Sequence, residues 1–349
     1  MKNLAVRPPI CAQAYSADAP PRLSYFSTGG GRMTSEMLIG IDVAKDELVI
    51  DSEQGLLTLA NTAEAINAWL KTLPTGSYIG LEATSDYHQL MAEQAVLMGM
   101  VVYVLNPRDM RHYALGLGRR GKTDRVDAQM IRRFITAERG HLRPYQPASA
   151  MQHQVALLQR RRATVVKHRQ ALQKALRSVK ELEAPLIDTV VALDGLLKHI
   201  DQQLDDLLTL QPALKAEARR LESIPGIGRQ TSTQLAVLFD RVPLSRSDAV
   251  VAFVGLDPRA CDSGQKRGRR RVSKRGPGEL RRLLYNCAQA AAKTAVWKPY
   301  YQELRAREFS ATQALVIIAR KLLRIAFSLW QQADARFDAQ KIACLNNAA

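Results

Sequence analysis

Gly40-Ile41-Asp42-Val43-Ala44-Lys45 places a carboxylate at the end of an apolar approach, Met37-Leu38-Ile39, and its reading decides the fold. Glu47-Leu48-Val49-Ile50-Asp51 follows at hairpin distance with alternating character, so the two stretches read as paired strands of an α/β domain. Burying an unpaired carboxylate is costly enough that such an acid is protonated, paired or metal-bound. Three downstream acids are its candidate companions: Glu82, Asp124 and Asp127.

Working outward, strand character recurs at Leu56 to Ala60, Ser77 to Glu82 and Val101 to Leu105. Helical spacing covers Ala63 to Leu73 and Tyr87 to Met98, and a third helix should start near Thr123. Three strands, then helix, strand, helix, strand and helix is the order of a ribonuclease-H-like domain, although many α/β folds share parts of it. Asp42 ends the first strand, Glu82 ends the fourth, and Asp124 and Asp127 lie three apart on one face of the last helix. Four converging carboxylates repel one another unless cations occupy the site, and hard oxygen donors favour Mg²⁺, with Mn²⁺ as the substitute. The competing reading makes Asp124 a helix-capping acid and Asp127 an exposed one.

The 349 residues carry 50 Lys+Arg against 33 Asp+Glu, a formal charge of +17 that points to a polyanionic partner, nucleic acid first. A membrane is disfavoured, because the apolar stretch from Ala314 to Trp330 is interrupted by Arg320, Lys321 and Arg324. Four scattered cysteines without a Cys-x-x-Cys pair indicate neither a disulfide framework nor a zinc site, and fit a reducing cytoplasm. Residues 1–36 are rich in Pro, Gly, Ser and Ala and read as a disordered extension.

After a Pro-containing loop the composition changes. Leu158, Val165, Leu172 and Val179 repeat every seven residues, Pro185 breaks the helix, and a second stripe runs from Leu193 to Leu207. The pair reads as an antiparallel helical arm whose stripe serves either an internal core or oligomerisation. Ile224-Pro225-Gly226-Ile227-Gly228 then precedes a helix from Thr231 to Phe239, a helix-hairpin-helix pattern. Backbone N–H groups at Gly226 and Gly228 can take a DNA phosphate there; the alternative is a purely structural turn. The basic stretch Lys266, Arg267, Arg269, Arg270, Arg271, Lys274 and Arg275 suits phosphates, pinned between an apolar segment and a helix from Glu279 to Val296. Ser263 stands at its entrance, with no local base to mark it as a nucleophile.

Six ordered motifs resemble one family: Gly40 to Lys45, Leu81-Glu82-Ala83-Thr84, Asn106-Pro107, Lys122 to Ala128, Ile224 to Gly228, and Ser263-Gly264 with Ser273-Lys274-Arg275-Gly276. They are similar to the insertion-sequence transposases with an amino-terminal DEDD domain and a serine-bearing carboxy-terminal domain, relatives of Piv-type invertases and bridge-RNA-guided recombinases. The resemblance implies a RuvC-like nuclease fold, with Asp42, Glu82, Asp124 and Asp127 as a Mg²⁺-binding tetrad and Ser263 as the nucleophile that joins DNA. It further implies a coiled-coil arm that mediates dimer formation, dimers that pair into a tetramer around two DNA segments, acids and serine of one site drawn from different subunits, and a guide RNA as partner.

The expected organisation is a RuvC-like α/β domain over 37–146, a helical coiled-coil arm over 150–220 and a mostly α-helical domain with a helix-hairpin-helix over 221–335. A tail covers 336–349. The expected activity is cutting and rejoining DNA through a phosphoserine. The alternatives are a metal-dependent hydrolytic nuclease or junction resolvase, and a non-catalytic nucleic-acid-binding protein. No Gly-x-x-x-x-Gly-Lys-Ser/Thr loop is present, in keeping with chemistry that needs no ATP.

Overall fold

The computed structural model describes residues 36–84, 86–118, 124–259, 268, 270–332 and 335–339. It divides into two compact units that meet in sequence between Ser149 and Ala150, so the expected arm and carboxy-terminal domain fall in one unit.

The first unit is built on β1 (Leu38–Val43), β2 (Glu47–Ser52), β3 (Gly55–Ala60), β4 (Tyr78–Glu82) and β5 (Val101–Leu105). They form one mixed sheet in the order β3-β2-β1-β4-β5, consistent with a ribonuclease-H-like domain. β1 and β2 pair antiparallel with Gly40 opposite Asp51, and β1 and β4 pair parallel with Gly40 opposite Gly80. Side chains alternate across the sheet, so Ile39, Ile41, Val43, Ile79 and Leu81 share one face. That face is buried under α1 (Ala63–Leu70) and α2 (His88–Leu97), through Ile66, Leu70, Met91 and Ala95.

The opposite face carries α3 (Pro107–Gly116) and α4 (Asp124–Glu138), with Tyr103, Leu105, Met110, Ile131 and Ile135 in its core. α3 was not expected from the apolar pattern. Asn106 caps it by accepting from the Arg108 N–H, and Pro107 occupies its first turn, so Asn-Pro was the signal that marks its start. The helix expected over 63–73 stops at Leu70, where Lys71 to Leu73 turn back onto preceding carbonyls.

In the second unit α5 (Ala150–Leu176) and α6 (Glu183–Thr209) pack as the expected antiparallel pair. The break falls earlier than Pro185: α5 ends at Leu176, and Pro185 lies in the first turn of α6, where a missing N–H costs nothing. Arg162 grips Asp201 with two hydrogen bonds of 2.6 and 3.0 Å, and Arg169 pairs with Asp194 at 2.8 Å. Val155, Ile200 and Leu204 bury the base of the pair, while Leu172, Leu182, Ile187, Val191 and Leu196 stay exposed.

The remaining helices are α7 (Pro212–Glu222), α8 (Arg229–Arg241), α9 (Ser247–Val254), α10 (Gly278–Ala291), α11 (Lys298–Ala306) and α12 (Ala311–Gln331). α12 is the axis of their core, with Ile318, Leu322, Leu323 and Ala326 fully buried, and a Ser310–Gln313 capping box starts it. α10 stops at Ala291, short of the expected Val296, because the Thr294 N–H and hydroxyl both return to the Ala291 carbonyl. Among the described residues no helix is long and apolar enough to cross a membrane.

Candidate functional site

Two glycines set the geometry around the acids. Gly40 and Gly80 are register partners on adjacent strands and leave a side-chain-free floor on the α4 face. A Cβ at Gly40 would lie 2.2 Å from the Ala128 carbonyl oxygen, and one at Gly80 2.7 Å from Ile135 Cγ2. Arg139, just past the end of α4, stacks its guanidinium 4.6 Å from the centre of the Tyr78 ring at the start of β4. α4 therefore runs antiparallel to the parallel strands, and its amino terminus lies toward their carboxyl ends.

Asp42 and Glu82 are two residues beyond those glycines, on the same face and at matching positions. Two strand residues advance about 6.6 Å, which equals about four residues of helix at 1.5 Å each. Stepping back four residues from Ala128 reaches Asp124, with Asp127 in the same turn. The fold thus directs two strand-end carboxylates and the first turn of one helix to the same edge of the sheet. Asp42, Glu82 and Asp127 are half-buried and Asp124 is exposed. Deeper under α4, Arg132 Nε donates to the buried Asp51 carboxylate at 2.5 Å and neutralises a fifth acid on this face.

All four candidate ligands are carboxylates, a donor set that fits a hard divalent cation such as Mg²⁺ and does not fit a thiophilic one. Among the described residues no three acidic, histidine or cysteine side chains already stand as a cage for an ion.

The serine-bearing stretch is anchored in the second unit. Ser263, Lys266, Arg267 and Arg269 lie outside the described residues; Arg270, Arg271, Lys274 and Arg275 are described and exposed. β6 (Pro258–Arg259) and β7 (Arg271–Val272) pair antiparallel and bracket the intervening residues. Below this ribbon the Ser273 N–H donates to the Asp257 carbonyl at 3.0 Å, and the buried Ser273 hydroxyl donates to the Asp257 carboxylate. The two chain segments then touch backbone to backbone, since a Cβ at Gly276 would lie 1.9 Å from the Phe253 carbonyl oxygen. Gly255 takes φ +75° and Lys274 φ +55°, and Arg281 closes the root by donating to the Val254 and Gly276 carbonyls. None of these root contacts was foreseen; Ser273 and Gly276 stood only as family motif letters.

The helical hairpin treats its two glycines differently. Gly226, at φ +100°, is pressed against α10, where a Cβ would lie 2.5 Å from Ala291 Cβ. Gly228 is exposed, has open space where a Cβ would be, and starts α8 without a side-chain cap. The Thr231 and Ser232 N–H groups both donate to the Gly228 carbonyl at 3.0 Å, and the Gly228 N–H serves the Cys287 sulfur. Arg229 and Gln230 therefore supply the first-turn N–H groups that a helix start leaves for an outside acceptor. Beside them Asp205 of α6 accepts from Lys215 at 3.2 Å and pairs with Arg229 at 2.7 Å. Burial pushes the Asp205 carboxyl up, but the hydrogen bonds from Lys215 and Arg229 outweigh it and hold the group below its ordinary value. Burial pushes the Cys287 thiol up, leaving it an inert donor to Thr231 Oγ1 at 3.2 Å.

Comparison with known proteins cuts the chain elsewhere, since the first match crosses the Ser149–Ala150 boundary and takes in α5. A profile described as DEDD_Tnp_IS110 transposase matches residues 39–182, and one described as the IS116/IS110/IS902 transposase family matches 218–302. The pilin gene-inverting protein of Moraxella lacunata is 26% identical over 323 residues, covering 85% of this chain and 97% of that protein. The transposase for insertion sequence element IS1111A of Coxiella burnetii is 28% identical over 308 residues, 77% of this chain and 81% of its own. The transposase for IS1328 of Yersinia enterocolitica is 26% identical over 340 residues, 86% and 98% of the two chains.

Proposed function

We propose that this chain, which belongs to the IS116/IS110/IS902 family of transposases, cuts DNA strands and rejoins them through a phosphoserine at Ser263. The observation that carries this reading is the matched placement of Asp42 and Glu82 at the carboxyl ends of paired strands, with the α4 amino terminus directed to the same edge.

Asp42, Glu82, Asp124 and Asp127 hold a divalent cation, Mg²⁺ or Mn²⁺, which when bound supplies polarisation of the scissile phosphate. The Ser263 hydroxyl gives up its proton and its oxygen attacks phosphorus; the bond to the departing sugar oxygen breaks, and that oxygen is protonated. A free DNA hydroxyl later attacks the phosphoserine, forms the new phosphodiester and returns the proton to serine. One phosphoester replaces another at each step, so no nucleotide triphosphate is consumed. Lys266, Arg267, Arg269, Arg270, Arg271, Lys274 and Arg275 neutralise backbone charge as the strands approach, and the α8 amino terminus at Gly228 receives a phosphate. Choice of sequence falls to a guide RNA, so the protein need encode no base-contacting helix of its own. The arm pairs subunits into a dimer, and two dimers pair into a tetramer around two DNA segments.

The test is adduct formation. Protein co-expressed with RNA from the flanks of its gene is mixed with Mg²⁺ and labelled DNA spanning element ends and target, with Ser263→Ala in parallel. An SDS-resistant labelled band that disappears in Ser263→Ala is the expected result. Free cleaved DNA from both proteins, with no adduct, would replace this reading with a hydrolytic nuclease.

A further inference from the structure

The root of the serine-bearing stretch contains a cation with nothing to hold. Arg320 and Arg324 lie one turn apart on the same side of α12. Arg324 reaches Asp248 on α9 at 2.5 Å. Arg320 is half-buried, its Nε is shielded from solvent, and no hydrogen bond or ion pair reaches it from any described residue. The titratable groups that face it are Arg324, Asp248, Asp257 and the neutral phenol of Tyr300. Both acids are already engaged, Asp248 by Arg324 and Asp257 by the Ser273 hydroxyl. Lys321, next along the helix, sits over the Tyr300 ring at 3.9 Å and is likewise committed. Burial, with Arg324 second, holds the Arg320 guanidinium below the ordinary arginine value.

Shielding one N–H of a charged guanidinium without a partner costs free energy, and at Arg320 this applies to Nε while the side chain as a whole stays half-buried. It becomes intelligible when an incoming anion completes it. The planar fork of arginine matches two oxygens of a phosphate. Asp248 and Asp257 equal Arg320 and Arg324 in formal charge, so the positive excess that draws an anion comes from the cations of the ribbon. The exposed Arg270, Arg271, Lys274 and Arg275 belong to the same root.

We propose that Arg320 is a phosphate-binding residue that takes a backbone phosphate diester of the DNA strand engaged by the Ser263 stretch. This rests on the recombinase reading above for the identity of the strand, and on the geometry of α12, α9 and the ribbon root for the site.

The experiment compares full-length wild type, Arg320→Ala and Arg320→Lys with the same guide RNA and DNA. DNA affinity is measured across a salt series, adduct yield in Mg²⁺, and Tm without nucleic acid. Arg320→Ala should flatten the plot of log affinity against log salt by about 0.7 to 0.9, the loss of one phosphate contact. Its adduct yield should fall about tenfold or more, with partial recovery in Arg320→Lys or on adding ethylguanidinium to the alanine variant. Its Tm should stay level or rise, because a purely structural arginine would lower it. A change of slope with RNA alone and not with DNA would overturn the DNA assignment, and wild-type slope and yield in Arg320→Ala would overturn the proposal. Should wild type bind DNA yet give no adduct, the phosphoserine reading fails, while the salt slope still decides whether Arg320 holds phosphate.

Discussion

At Gly40 one methyl group separates a working helix–sheet contact from a collision with backbone. The atoms a Cβ would meet are the Ala128 carbonyl oxygen at 2.2 Å and the Arg132 nitrogen at 2.4 Å, neither of which can rotate away. Gly40→Ala must therefore lift α4, loosening the Arg132–Asp51 pair with it. We expect a loss of about 3 kcal/mol in urea unfolding. Gly116→Ala is the control, since nothing lies within 4 Å of a Cβ there, and its effect should be within about 1 kcal/mol of neutral. Asp42 itself was legible in the sequence because an acid at the end of an apolar strand is anomalous on its face. Gly40 and Gly80 were not, because their meaning depends on the strand register that brings them together. Arg320 was hidden for a similar reason, since its neighbours Asp248 and Asp257 come from a helix and a ribbon far away in the chain.

Among the elements, the five strands were readable because a period of two survives in short segments buried on one or both faces. α3 was not, since it buries only Met110 and so writes no apolar stripe. The α5/α6 pair shows the opposite case, in which the stripe is longer than the core it serves. Leucines at the base are buried, whereas Ile187 is 55% and Val191 65% exposed on the far part of α6. If that stretch joins subunits, the double substitution Ile187→Asp, Val191→Asp should convert an oligomer to a monomer by light scattering, with Tm unchanged at fixed low concentration. An oligomer that survives the substitution would assign subunit contact to another surface. The root contacts of Asp257, Ser273 and Arg281 escaped sequence reading because they join residues 16 and 27 apart through backbone carbonyls and a short ribbon.

Over the whole molecule, the excess of 17 positive charges makes acid conditions hostile, because every protonated carboxylate adds to self-repulsion. Asp205 contributes to this locally, tying α6 to α7 and α8 through Lys215 and Arg229. Its folded-state pKa lies below its ordinary value, so it binds fewer protons folded than unfolded. Its stabilising share is thus fully present above the unfolded value of about 3.9 and disappears as pH falls through the lower folded value. Asp205→Asn should be less stable than wild type at pH 7, and the two denaturation curves should converge toward pH 2. Parallel curves at both pH values would show that the carboxylate contributes through shape alone. The backbone contact between Gly276 and Phe253 carries a different sort of consequence. It seals the ribbon root without using any side chain of the eleven residues between Arg259 and Arg271. A contact made of main chain alone constrains composition only at Gly276, so substitutions between Arg259 and Arg271 that abolish activity should leave the melting temperature of the helical core where it was.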